Sequence, residues 1–534
     1  MSQSRIISRS LLFAAWLVIC AWLPDSALGQ SLHEVIDREI ERLAGGVLAP
    51  KCDDAEFMRR VTLDLTGRLP QSEDVRRFLA DDSSGKRAEL IDQLLAGDDY
   101  PRRMQEFLGA SLLERRTDTK IPDPEWEQYL RQSIAENKPW HKLVGELLFA
   151  ERNDSNQPQP AEKFLLVAGR NDMHQKTQDV ARLLLGRDIM CSQCHDHPTI
   201  EDYTQADYFG LFTYLQETSD KASAEFESVF VPGTKSTGPR LPGGTAIEIP
   251  TFESGQKEEA LKFRPRLLLA ANLANAENQI FKRNAVNRFW YLMMGRGLVH
   301  PLDQHHKDNP PSHPELLDAL AEDFAKSGFD VKRLLREIAL SDSYQRASQL
   351  PEGVDENDVP ITSLRVAIGK PLTAEQMAWV VMEATGNLPM LLAVTPPEKS
   401  DFSYKNYING RIDQAPDNFA DAMTLFVGVF SNPPGEPEVE FNPAVGHSLF
   451  LMNEPLILDW LKPKPGNLID RLTKLNDASS IAEELYLSVL TRHPTLEESA
   501  EVDQYLQRFD SRRTEALGDL AWALIASAEF RSNH

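Results

Sequence analysis

The sequence predicts a mainly α protein: two helical domains joined by a Gly/Pro-rich segment, with little β structure. Apolar residues recur at helical spacing along most of the chain. Glycine and proline crowd one interval, where Pro232, Gly233, Gly238, Pro239, Pro242, Gly243, Gly244 and Pro250 deny a helix its continuity. The composition, 41% hydrophobic and 26% charged over 534 residues, is that of a globular chain able to bury more than one core. It excludes a collagen, a coiled-coil rod and a wholly disordered chain.

Residues 1–29 read as an address. Arg5 and Arg9 precede an apolar run from Leu11 to Leu23, Pro24 breaks it, and Ala27-Leu28-Gly29 offers small residues for cleavage. This is a secretory signal-peptide pattern, too short for the roughly 20 apolar residues of a membrane span. No later stretch is apolar enough to span, so the mature chain is expected to be exported, to a periplasm, a cell envelope or the medium. The balance of 57 basic and 81 acidic residues, a net charge of −24, argues against a nucleic-acid partner.

Residues 30–230 form the first expected domain. Ile36-Ile40-Leu43, Val75-Phe78-Leu79 and Leu90-Ile91-Leu94-Leu95 mark helices, and Ser72 before Glu73 and Asp74 is a predicted cap. Trp126-Tyr129-Leu130 and Leu143-Leu147-Leu148 are predicted buried faces. Residues 231–262 are the linker, with one short strand expected at Ala246–Ile249. Residues 263–534 form the companion domain: helical over 263–348, over 372–386 and over the last ninety residues, with a loop at Pro351–Pro360 and a turn-rich stretch over 395–443. A motif ending Leu94–Tyr100 recurs at Ile338–Tyr344 and Leu524–Phe530. In each copy an aromatic follows a small residue by three positions, which predicts a helix end whose aromatic folds back onto the preceding apolar face.

Four cysteines are too few for a disulfide scaffold. Cys20 lies in the leader and Cys52 has no evident sequence partner. Cys191-Ser192-Gln193-Cys194-His195 is the C-x-x-C-H attachment pattern of a c-type haem. Two thiols three residues apart reach the two vinyl groups of one porphyrin, and the next residue turns an imidazole onto the iron. A helix is expected over Thr177–Met190 before the motif. The same residues admit other readings. The thiolates with His195 or His197 could hold zinc or iron, with Asp196 orienting an imidazole, and the cysteine pair could be a disulfide.

No Met lies between Met190 and Met293 and no His between His197 and His300. A second axial ligand would come from upstream, Met173 or His174, or from the second domain. His300, His305, His306 and His313 form a second cluster; a solvated polar loop is the favoured reading, a face turned toward the first site the other. No G-x-S-x-G, P-loop or His-Glu-x-x-His motif is present, and no reaction is assigned.

Cys191-Ser-Gln-Cys194-His195-Asp196-His197-Pro198, followed by Gln205-Ala-Asp207-Tyr208, resembles the core of the planctomycete cytochrome-like secreted proteins. Phe57-Met-Arg-Arg-Val-Thr-Leu-Asp64-Leu65-Thr66-Gly67 is similar to that family's amino-terminal signature. Asn287-Arg288-Phe-Trp290, Gly295-Arg-Gly297-Leu298-Val299 and Pro310-Pro-Ser-His313-Pro314-Glu315-Leu316-Leu317 are similar to its companion domain, as are Ser341–Arg346, Phe450–Pro455 and the Phe530–His534 ending. The resemblance implies an exported, helical, two-domain protein with a cytochrome-like site and no established reaction. Thr199-Ile200-Glu201-Asp202-Tyr203 departs from the Phe-Asp and Trp usual after the motif. The sequence reading is therefore a haem c- or metal-binding redox protein, with Cys191, Cys194 and His195 holding the cofactor, His197 and Asp196 beside it, and an unidentified redox partner. The alternative is a non-redox, metal- or disulfide-stabilised protein binding envelope components or polysaccharide.

Overall fold

A computed structural model describes residues 30–118, 120–150, 157–169, 172–215, 224–227, 233–247, 265–396, 402–412, 415–438 and 445–534. The leader reading, the end of the strand expected at Ala246–Ile249 and much of the expected linker lie outside these residues.

The structure is 60% helical with 3% strand, a mainly α fold. The first part of the chain forms α1 (Leu32–Leu43), α2 (Asp54–Thr66), α3 (Ser72–Ala80), α4 (Lys86–Ala96), α5 (Asp99–Leu113), α6 (Asp123–Ala135), α7 (Trp140–Leu148), α8 (Lys163–Leu166), α9 (Met173–Asp179) and α10 (Gln205–Leu215). A hairpin follows, β1 (Ala224–Glu227) antiparallel to β2 (Thr234–Thr237). Then come α11 (Pro265–Leu273), α12 (Gln279–Met294), α13 (Pro314–Lys326) and α14 (Val331–Leu340). Beyond β3 (Lys370–Pro371), the chain forms α15 (Ala374–Ala384), α16 (Leu388–Ala393), α17 (Tyr404–Ile408), α18 (Phe419–Phe430), α19 (Val445–Asn453), α20 (Pro455–Trp460), α21 (Leu468–Thr473), α22 (Ala478–Leu490), α23 (Leu496–Arg508) and α24 (Arg513–Ala526), and ends in β4 (Ser532–Asn533), which pairs antiparallel with β3.

Local chemistry sets many helix ends. Asp53 accepts the Glu56 amide at 2.8 Å to start α2, and Gly67, at φ +70, closes it. Thr373 with Gln376, and Thr495 with Glu498, form capping boxes on α15 and α23. Ser72 is the first residue of α3, behind Gln71 at the cap position, and its hydroxyl donates instead to Glu484 at 3.0 Å. The stretch over 395–443 holds α17 and α18 as well as turns. Asn418 caps α18 by accepting the Asp421 amide at 3.0 Å, and Ala422, Leu425 and Phe426 give the helix a buried face. The three repeated motifs do end helices. Gly97, Ser341 and Ser527 each leave the helix in extended backbone and donate to the carbonyl three residues back, and Tyr100, Tyr344 and Phe530 are buried.

Among the described residues two large hydrophobic cores form, with a small cluster of Met58, Val75 and Leu487 beside them. One gathers residues from Leu32 to Leu215 together with Leu269 to Leu364, so α11–α14 pack into the same core as α1–α10. Trp140 shows this directly: its ring meets Phe289 edge-on at 5.3 Å, and its amide donates to Phe329 at 3.0 Å. The other core gathers Leu372 to Phe530 with Leu63 and Leu69. The Gly/Pro-rich segment therefore divides the chain without dividing the core, because the helices on its two sides bury their apolar faces against each other. Helix α2 serves both cores, turning Phe57, Val61 and Leu65 to one and Leu63 to the other.

Candidate functional site

The site is built on the end of α9 and the loop that follows. Asp172 caps α9 by accepting the Gln175 amide at 2.9 Å. The helix continues as a wider π turn over Val180–Leu184, whose Val180, Ala181, Leu183 and Leu184 are buried. The helix expected to reach Met190 stops at Leu185, because Gly186 turns the chain at φ +67. A Cβ at Gly186 would lie 2.6 Å from Asn284 Oδ1 and 2.7 Å from His305 Cδ2, so only glycine fits against the second half of the chain.

Met190–Gln193 forms a 3-10 turn. It places Cys191 and Cys194 as exposed free thiols, while Ser192 between them is fully buried and anchors the turn. The Cys194 amide donates to the Cys191 carbonyl at 3.2 Å and the His195 amide to the same carbonyl at 3.4 Å. His195 Nδ1 lies 2.7 Å from the Asp196 carbonyl. A carbonyl only accepts, so Nδ1 carries the proton, and in the neutral ring Nε2 carries the lone pair.

Asp196 meets the imidazole through its backbone carbonyl, and its carboxylate turns elsewhere. Its Oδ1 accepts the Gln205 amide at 2.7 Å and fixes the motif to the start of α10. His197 Nδ1 accepts the Ile200 amide at 3.0 Å, so in the neutral ring Nε2 bears hydrogen. The His197 amide donates to the Tyr203 carbonyl at 2.8 Å, closing the loop after the motif. His174, named from sequence with Met173 as an upstream ligand, bonds the Tyr208 hydroxyl through Nδ1 at 2.8 Å. Burial, aided by Asp172 and Cys194, pushes the Tyr208 phenol up.

The second histidine cluster is not a solvated loop. Residues 301–307 dock onto the motif loop: Asp188 donates to the Asp303 carbonyl at 2.8 Å, His305 to the Gly186 carbonyl at 2.9 Å, and Lys307 to Asp202 Oδ2 at 2.9 Å. Arg187 and Gln304 form an antiparallel bridge. His305 is pushed down to about 3 by burial and by the nearby guanidinium groups of Arg288 and Arg187. The His306 ring meets Tyr203 edge-on at 5.5 Å, and Tyr203 meets His197 edge-on at 6.0 Å. His313 lies apart, buried at the start of α13. Cys52 is a buried thiol, raised by desolvation, with Arg60 Nη1 at 3.9 Å.

Among the described residues, no three His, Cys, Asp or Glu side chains converge to hold a metal ion. The residues do suit a covalently held porphyrin: both thiols are exposed on one turn, and the His195 tautomer presents Nε2 to a metal. Ser192 Oγ in that turn, and Arg187 Nε, Tyr203 Oη and His306 Nδ1 next to it, are buried polar atoms with no hydrogen-bond partner among the described residues. Sequence reasoning passed over Arg187 altogether and met Tyr203 only as a departure from the family pattern, since no motif marks a residue whose role depends on a loop arriving from about a hundred positions away.

No curated protein and no solved structure matches the chain. Two family models do. Residues 33–220 match PSCyt2, described as a protein of unknown function (DUF1549), and residues 265–506 match PSD1, described as a protein of unknown function (DUF1553). The motif loop lies within the first match and the docking loop within the second, and the chain carries these two domains side by side.

Proposed function

We propose that this protein is an exported c-type haem protein serving electron transfer, with Cys191 and Cys194 as the thioether sites and His195 as the axial ligand. The observation that carries the reading is the exposed Cys191–Cys194 pair on one turn, with the His195 Nδ1 proton already committed to the Asp196 carbonyl at 2.7 Å. A haem bound there would supply one-electron redox chemistry. The chain's own residues have separable tasks. The thiols anchor, and Asp196 holds the turn to α10 through the Gln205 amide. The Asp196 carbonyl fixes the His195 ring and its tautomer, which raises the basicity of Nε2. His197 and Tyr203 close the loop beneath.

The matched PSCyt2 domain, with its cytochrome-like name, agrees with this reading, as does the leader pattern, because covalent haem attachment takes place outside the cytoplasm. The test is to express the full chain in a host with a cytochrome c maturation system. After acetone extraction of loose haem, the purified protein should give a pyridine-haemochrome spectrum with one haem per chain. A colourless protein holding stoichiometric zinc without iron would establish the structural-metal alternative instead.

A further inference from the structure

Arg187 Nε, Tyr203 Oη and His306 Nδ1 are buried polar atoms without a hydrogen-bond partner, and they lie together. Tyr203 is 1% exposed; the Arg187 guanidinium carbon lies 6.0 Å from its ring centre and the His306 ring 5.5 Å away. Leaving one such group unpaired in a protein interior is costly, so three in one place point to an absent acceptor. None of the neighbouring carboxylates bonds these three atoms. Asp188 accepts the Met190 amide, Asp202 accepts the Lys307 amide, Asp303 lies 3.9 Å from Arg182, and Glu201 pairs with Lys307.

We propose that Arg187, Tyr203 and His306 form a cradle for a ligand carboxylate, and that in the haem-carrying protein the occupant is a propionate of the attached porphyrin. A guanidinium fork and a phenolic O–H are donors, the His306 imidazole joins them in the tautomer that protonates Nδ1, and together they match the lone pairs of one carboxylate. The cradle is fixed to the same loop as the thiols: Arg187 stands four residues before Cys191, and the Tyr203 carbonyl accepts the His197 amide at 2.8 Å. Arg187 and His306 are only partly buried, so the cradle lies close to the surface. His306 comes from the second domain, so the occupant ties the two domains together. The identity of the occupant rests on the haem reading; the cradle does not, because a free carboxylic acid would be recognised by the same donors.

The experiment uses the full chain, with and without haem maturation, and the variants Arg187→Gln and Tyr203→Phe. In the haem-loaded protein both variants should keep their pyridine-haemochrome signal and lower the midpoint potential. Loss of a cation beside the cofactor disfavours the added electron, by up to about tenfold in the reduced-to-oxidised ratio, or about 59 mV for one electron. Tyr203→Phe removes no charge, so its smaller fall reports contact rather than general field. Unchanged potentials in both variants, with haem attached, overturn the cradle and leave the haem reading intact. In the haem-free protein, sodium propionate should saturably shift the Arg187 Nε–H resonance, more weakly in Tyr203→Phe. If haem never attaches and this response is seen, the haem reading falls and the cradle stands with a free carboxylate as its occupant. If haem never attaches and no response is seen, both fall.

Discussion

Tyr344 donates its phenolic hydrogen to Asp64 Oδ2 at 2.7 Å across 280 positions of sequence, and both residues are buried. The other carboxylate oxygen takes the Lys370 ammonium at 2.6 Å and the Asn533 amide at 2.7 Å. One carboxylate thus gathers α2, the end of the repeated α14 motif, β3 and β4 where the two cores meet. Burial lowers the Lys370 pKa and raises that of Tyr344, so the charge on Asp64 holds the network together.

Asp64→Asn should therefore be severe. It leaves the buried Lys370 without its counter-charge, a change that costs about 3–5 kcal/mol. Urea unfolding measures it, and Asp64→Asn with Lys370→Met should recover much of the loss. Equal destabilisation in the single and double variants would contradict the charge argument.

His305 makes stability depend on pH. Its folded pKa of about 3 lies below the ordinary 6.5, so the folded chain resists a proton that the unfolded chain accepts. The stabilisation is complete above pH 6.5 and is lost as pH falls toward 3, at up to about 1.4 kcal/mol per pH unit. His305→Gln should flatten the unfolding free energy between pH 6.5 and 4 relative to the parent. An unaltered slope in that window would remove His305 as its source.

Gly186→Ala tests the docking of the two domains. The positive φ and the 2.6 Å and 2.7 Å approaches leave no room for a methyl group, so about 1–3 kcal/mol of strain and overpacking is expected. Hydrogen exchange should speed up at the His305 and Asp188 amides, which cross that contact, while the amides of α22 stay protected.

Cys191→Ser and Cys194→Ser separate cofactor attachment from folding. Both thiols are exposed and free, so the haem-free chain should lose less than about 0.5 kcal/mol in either variant. Each change replaces one thioether with a vinyl group, so the haemochrome α band of any haem still attached should move to longer wavelength. A large loss of stability without any chromophore would favour a structural metal.

Much of the fold was legible locally. Helical spacing named the buried faces of Trp126 and Leu143, and the three aromatic endings at Tyr100, Tyr344 and Phe530 announced the same helix terminus each time. Those signals depend on residues within one or two turns of each other. The cap on α3 fell one position early and α18 hid among prolines and turns, because a short helix shows too few periodic residues to outweigh its flanks.

The sequence alone determined the helical class and the two matched domains, along with the spacing of two thiols and an imidazole, since each is a matter of neighbouring residues. Tertiary structure alone decided that α11–α14 share the core of α1–α10. It also decided that the Asp196 carboxylate holds an amide while its carbonyl takes the imidazole, and that His305 and His306 press against the motif loop. These facts depend on groups brought together by burial of apolar surface, and no spacing along the chain encodes which distant loop will cover Tyr203.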